Sequence, residues 1–119
     1  MNNYLFVYGT LMQNNNNPYC ELISKNSNFI TKGFIYAKKY DLGEYPGVKL
    51  DLNKKHITKG ELYNIHSNFE HVISELDYYE GFNELNYTES LFVRKEVVVQ
   101  TDNENYKAWV YEYNKKAPK

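Results

Sequence analysis

Residues 4–8, Tyr-Leu-Phe-Val-Tyr, form an unbroken apolar run that stops at Gly9. A run of this kind leaves neither face of a strand for water, so the segment reads as a strand buried on both sides and central in a sheet. The rest of the chain then has to cover it. A chain of 119 residues has room for one hydrophobic core, so one domain over residues 1–119 and one site are expected.

Asn14–Asn17 reads as a surface loop, after which Pro18 opens a short helix through Leu22 and Ile23. Between Asn28 and Leu42, Phe29, Ile30, Thr31, Phe34, Ile35 and Tyr36 favour one or two strands interrupted near Gly33. Gly43 to Gly47, with Tyr45-Pro46-Gly47, is expected to be a loop. His56–Ile65 alternates as a strand, with Gly60 permitting a bulge or a close backbone approach. Ser67-Asn68-Phe69-Glu70 spells a capping box, Phe69, Val72, Ile73 and Leu76 share one helical face, and Gly81 supplies a stop. This predicts a helix over 68–79. Strands over Ser90–Thr101 and Asn105–Tyr113 follow, joined as a hairpin through Asp102-Asn103-Glu104. The expected class is α+β: a small mixed or antiparallel sheet curling toward a barrel, with one main helix packed on it.

Composition narrows the function by exclusion. A net charge of -1, with no block of like charges, offers no field for nucleic acid or an anionic membrane, so neither is an expected partner. The N-terminus lacks a basic stretch and a long apolar one, so no signal sequence or membrane span is expected. The single cysteine, Cys20, cannot form a disulfide within the chain, and a reducing cytoplasm is the natural setting. The 13 tyrosines are expected mainly as half-buried strand residues, with a polar pocket lining as the alternative.

Chemistry-bearing candidates are few. Continuing the helical face of Val72 and Leu76 by four residues reaches Glu80, just before Gly81, and so aims a carboxylate at the core side. Burial and the negative end of the helix dipole would both raise its pKa, which prepares a general base. The alternative is that the helix frays first and Glu80 reaches solvent. Gly9-Thr10-Leu11 follows a buried strand, and its backbone N–H groups could hold an anion or an oxyanion; a plain glycine turn is the alternative. His56, His66 and His71 lack metal-ligand spacing and read as surface residues. Cys20 reads as a packed thiol. Arg94 and Glu96 are expected as a surface ion pair, and Trp109, Tyr111 and Tyr113 as a core-facing stripe.

Phe6-Val7-Tyr8-Gly9-Thr10-Leu11, Tyr45-Pro46-Gly47, Gly60-Glu61-Leu62-Tyr63, Leu76-Asp77-Tyr78-Tyr79-Glu80-Gly81-Phe82 and Ala108-Trp109-Val110-Tyr111 occur in an order that spans the chain. This ordered set resembles the γ-glutamylcyclotransferase-like family, particularly its short γ-glutamylamine cyclotransferase-like branch. The resemblance implies a small mixed barrel with flanking helices and an enzyme of the lyase or acyltransferase class. It implies that Tyr8, Gly9, Thr10 and Leu11 cradle the α-amino acid end of a small-molecule γ-glutamyl substrate, with Tyr45 and Pro46 also binding it. Glu80 is implied as the catalytic carboxylate. The implied reaction is attack of the substrate's own α-amine on its γ-carbonyl, giving 5-oxoproline and a free amine or peptide, without cofactor or metal. Neither the leaving amine nor an oligomeric state is implied.

Two departures stand out. Phe92-Val93-Arg94 stands where the family often begins with Tyr, and the Asn14–Asn17 tract replaces a more glycine-rich or basic stretch. The second motivates an alternative from another class, a non-catalytic small-molecule binding or interaction domain of the same fold. Simple amidohydrolysis, with water as nucleophile and free glutamate as product, is a third.

Overall fold

The computed structural model describes residues 2–9, 18–43 and 46–116. In chain order the elements are β1 (Tyr4–Val7), α1 (Pro18–Asn26), β2 (Ser27–Asp41), β3 (Pro46–Leu50), β4 (Ile57–Ile65), α2 (Phe69–Glu80), a 3-10 segment (Glu84–Glu89), β5 (Phe92–Val99) and β6 (Tyr106–Tyr113). The strands form one sheet in the order β3-β2-β4-β1-β6-β5. All pairings are antiparallel except β1 with β6, where Leu5 lies beside Trp109 in parallel register.

The apolar N-terminal run is buried on both faces, as its composition requires. Leu5 and Val7 point to the outer face, into a core shared with Ile23 of α1, Val72, Ile73 and Leu76 of α2, and Tyr111. Phe6 points inward with Ile35, Val48, Leu62, Val99 and Val110. The sheet curls around this second core until Phe34 and Gln100 form an antiparallel bridge, with N–H···O distances of 3.0 and 2.8 Å. The result is the expected α+β half-barrel, with two helices on its outer face.

Local differences from the sequence reading have physical causes. β2 runs unbroken through Gly33, and its irregularity falls between Phe29 and Thr31. Pro46 and Gly47 open a strand instead of lying in a loop, because β3 pairs with Ala37–Asp41 along the edge of β2. The capping box does not form: Asn68 sits at the helix start in the left-handed region, φ 53°, without a side-chain cap. Ser67 Oγ instead donates to Asn26 Oδ1 at 3.1 Å, as does Asn68 Nδ2 at 3.0 Å, tying the start of α2 to the end of α1. Burying Val72 and Leu76 completely stabilises α2 by about 1.5–3 kcal/mol each.

Candidate active site

α2 ends on Glu80. Gly81 takes φ 73°, a left-handed conformation that costs glycine little, and closes the helix: the Gly81 N–H donates to the Tyr78 carbonyl and the Phe82 N–H to the Asp77 carbonyl. The stop acts at Gly81, as expected, but the helix runs one residue further than 79, so Glu80 belongs to it instead of fraying from it. Its side chain is half-buried, and burial pushes its pKa from 4.5 to about 7. Among the described residues no hydrogen-bond donor to this carboxylate is found that would oppose the shift.

Beneath Glu80 lies the end of β1. The Tyr8 hydroxyl donates to the Tyr111 carbonyl at 2.6 Å. Burial pushes the phenol far up, and the charges of Glu80 and Glu112 push the same way. Tyr8 thus stays neutral and ties the end of β1 to β6. Gly9 follows with φ 72°, and a Cβ there would come within 2.6 Å of Pro46 Cγ. Tyr8, Gly9, Pro46 and Glu80, read separately from the sequence, are thereby brought to one place at the carboxyl end of β1. Thr10, Leu11 and Tyr45 lie outside the described residues.

A row of side chains crosses the outer face just below. Val7 pairs with Glu61, and carrying the β1–β6 register two residues on from Leu5 and Trp109 sets Val7 beside Tyr111, which pairs with Arg94. Tyr111 Oη donates to Asp77 Oδ1 at 2.7 Å, and Arg94 donates to both oxygens of Asp77, from Nε at 2.9 Å and from Nη2 at 3.3 Å. Burial pushes the Tyr111 phenol up, with Asp77 and Glu80 adding to it. The expected surface pair of Arg94 with Glu96 is not formed. Glu96 accepts from Asn2 Nδ2 instead, while Arg94 turns to the helix.

Asp77, Tyr111 and Glu61 were not singled out as functional from sequence. The signal for Asp77 was its place one helical turn before Glu80. Glu61 is 2% exposed and accepts from Tyr63 Oη at 2.9 Å; sharing a strand face with charged Lys59 hid that burial. Cys20 is buried, and burial and then the charge of Glu61 push its thiol up, as suits a packed thiol. His56, His66 and His71 are exposed. Among the described residues no cluster of three or more His, Cys, Asp or Glu is placed to hold a metal ion, and no helix is long and apolar enough to cross a membrane.

The arrangement therefore offers one carboxyl that is near half-ionised at neutral pH, beside a glycine turn, over a row of polar groups already committed to each other. A carboxyl so tuned can take a proton and return it.

Comparison with known proteins gives the same direction. The profile of the family described as "Gamma-glutamyl cyclotransferase, AIG2-like" matches residues 5–119. The γ-L-glutamyl-butirosin B γ-glutamyl cyclotransferase of Niallia circulans is 31% identical over 112 residues, covering 93% of this chain and 67% of that protein. Among solved structures, Bacillus subtilis YkqA superposes with a TM-score of 0.72 at 24% identity over 99% of this chain, which spans only 38% of YkqA. An AIG2-like protein of Mus musculus gives a TM-score of 0.67 at 18% identity, covering 97% of this chain and 79% of that one. The structural likenesses establish the shared half-barrel, and the profile match with the Niallia relative supports γ-glutamyl cyclotransferase activity in general. The chain belongs to the AIG2-like γ-glutamyl cyclotransferase family.

Proposed function

We propose that this chain converts a γ-glutamyl amine or γ-glutamyl peptide to 5-oxoproline and a free amine, with Glu80 carrying the proton. The observation that carries this reading is the Glu80 carboxyl, half-buried at the end of α2, facing Tyr8 and brought by burial to about 7. An α-ammonium is not a nucleophile until a base removes its proton. Ionised Glu80 takes that proton, and the freed amine attacks the γ-carbonyl carbon of the same molecule and closes the five-membered lactam. The bond to the leaving amine then breaks: Glu80 returns the first proton to the departing nitrogen, and the second proton that the attacking nitrogen sheds to become a lactam N–H also passes to the freed amine, which leaves as an ammonium. One carboxyl serves both steps, and the net change is substrate to 5-oxoproline plus amine.

The segment Tyr8 to Leu11, with Tyr45 and Pro46, is assigned to binding the γ-glutamyl group, supported by the Gly9 turn against Pro46. Backbone N–H groups suit its α-carboxylate or the developing oxyanion, and folding the substrate so that amine and carbonyl meet supplies proximity. The decisive assay follows 5-oxoproline by mass spectrometry over a panel of γ-glutamyl amines and peptides, comparing wild type with Glu80→Gln. Loss of about 100- to 10,000-fold is expected, the usual contribution of a positioned acid or base. Equal 5-oxoproline formation by the variant rejects the role of Glu80. Saturable substrate binding without any turnover in wild type favours the non-catalytic binding domain, and release of free glutamate indicates water as the nucleophile.

A further inference from the structure

We propose that Arg94 is a positioning residue for this reaction: it grips α2 on both sides of Glu80, through Asp77 before it and Phe82 after it, and so fixes where the carboxyl stands. The inference rests on the reading of Glu80 as the proton carrier.

The grip has two parts. On the near side, the Arg94 guanidinium forks onto both oxygens of Asp77, with the two side chains 16% and 20% exposed, so the pair is largely shielded from water. Asp77 also accepts from Tyr111 Oη, which anchors it to β6 as well as β5. On the far side, the guanidinium carbon lies 5.8 Å from the centroid of the Phe82 ring and 4.7 Å from that of Trp109. Trp109 is itself fixed, its Nε1 donating to the Asn2 carbonyl at 2.8 Å.

The backbone converts this grip into a position for Glu80. The Phe82 N–H donates to the Asp77 carbonyl at 2.8 Å, so residues 77 and 82, the two held by Arg94, are also the two that close the last turn around Glu80. Held at both ends, that turn has little freedom to swing its carboxyl out to water. Lysine could supply the charge but neither the fork nor the planar face.

Among the described residues, the groups facing Glu80 are Tyr8 from the end of β1 and Tyr111 from β6, with Glu112 beyond Tyr8. Arg94 reaches it from β5 only through Asp77 and Tyr111, and on its own helix Tyr79 stacks on Tyr19 of α1. Burial, and no charge among these, sets the Glu80 shift. If Arg94 works by position, releasing it lets water in and the Glu80 titration falls. If it worked by charge, removing a cation would raise that titration.

The test is a 13C NMR titration of the Glu80 carboxyl in the full chain, with kcat and KM for 5-oxoproline formation, in Arg94→Met and Arg94→Lys. In both variants the Glu80 titration should fall from about 7 toward 4.5, by roughly one unit. The kcat should drop about 10- to 100-fold with KM moving less than about threefold, as expected when a reacting group is misplaced and the binding loop is intact. Where Arg94→Met does not fold, Arg94→Lys decides alone. An upward shift in Arg94→Met, or an unmoved titration with wild-type kcat in Arg94→Lys, overturns the proposal. Wild-type turnover by Glu80→Gln removes the catalytic reading instead, while the titration still reports whether Arg94 sets the position of Glu80.

Discussion

Asp51 and Glu80 are two carboxylates at the ends of secondary elements, and the chain treats them in opposite ways. Asp51 follows β3, and its oxygens accept from the N–H groups of Asn53, Lys55 and His56 and meet His56 Nδ1 at 3.0 Å. The bond with His56, then those backbone donors, hold it below the usual carboxylate range. Glu80 ends α2, where burial, with no opposing donor among the described residues, brings it to about 7. A turn that spends its donors on a carboxylate favours its charged form and makes it structural. A helix end that spends its N–H groups on its own carbonyls leaves the carboxyl free to gain and lose a proton near neutrality.

Substitutions can break this contrast. The largest effect is expected for Glu80→Gln, with the loss of about 100- to 10,000-fold in 5-oxoproline formation stated above. In wild type, kcat/KM should rise with pH through about 7 as Glu80 ionises, a limb that a pH–rate profile will reveal. Gly9→Ala comes next: the left-handed φ and the 2.6 Å approach to Pro46 Cγ force the two segments apart, which should lower kcat/KM by roughly tenfold or more in steady-state assays.

A smaller effect concerns stability. The folded-state pKa of Glu80 lies above its unfolded value, so the native state binds this proton more tightly; its stabilising share is complete below about 4.5 and is lost as pH rises through about 7. Above that, an ionised half-buried carboxylate destabilises the fold, and Glu80→Gln should be the more stable protein. After allowing for partial exposure the gain is about 1–3 kcal/mol. Urea unfolding at pH 8 should show it, and at pH 4 the two proteins should converge. The smallest effect belongs to Asp51→Asn, which should leave kcat/KM within about twofold of wild type, as befits a surface turn away from the site.

Much of this was legible in the sequence where periodicity and glycine agree. The i, i+4 series Val72, Leu76, Glu80 with Gly81 behind it placed the carboxyl, and the apolar run ending at Gly9 placed the strand beneath it. What escaped depended on partners distant in the chain. β3 was missed because Pro46, Gly47 and Lys49 are poor strand formers, and only the edge of β2 recruits them. The capping box failed because Asn26, at the end of another helix, captures Ser67. Arg94 was paired with its strand neighbour Glu96, since spacing within a strand cannot reveal a helix laid across it. Alternation along β4 did not say which face is covered, and Glu61 lies on the face that packs beside Cys20 and Ile23 of α1.

The bridge between Phe34 and Gln100 carries a last consequence, for how the molecule breathes. Bringing these distant residues together costs closure entropy that grows with the loop between them, and in return β2 and β5 gain a single pair of backbone hydrogen bonds. Such a seam zips late and unzips first. It lies past the Val99 end of β5, whereas Arg94 lies toward the other end and is clasped to α2. Hydrogen exchange is therefore expected to open the half-barrel first at this bridge, while the helix terminus that carries Glu80 keeps its place.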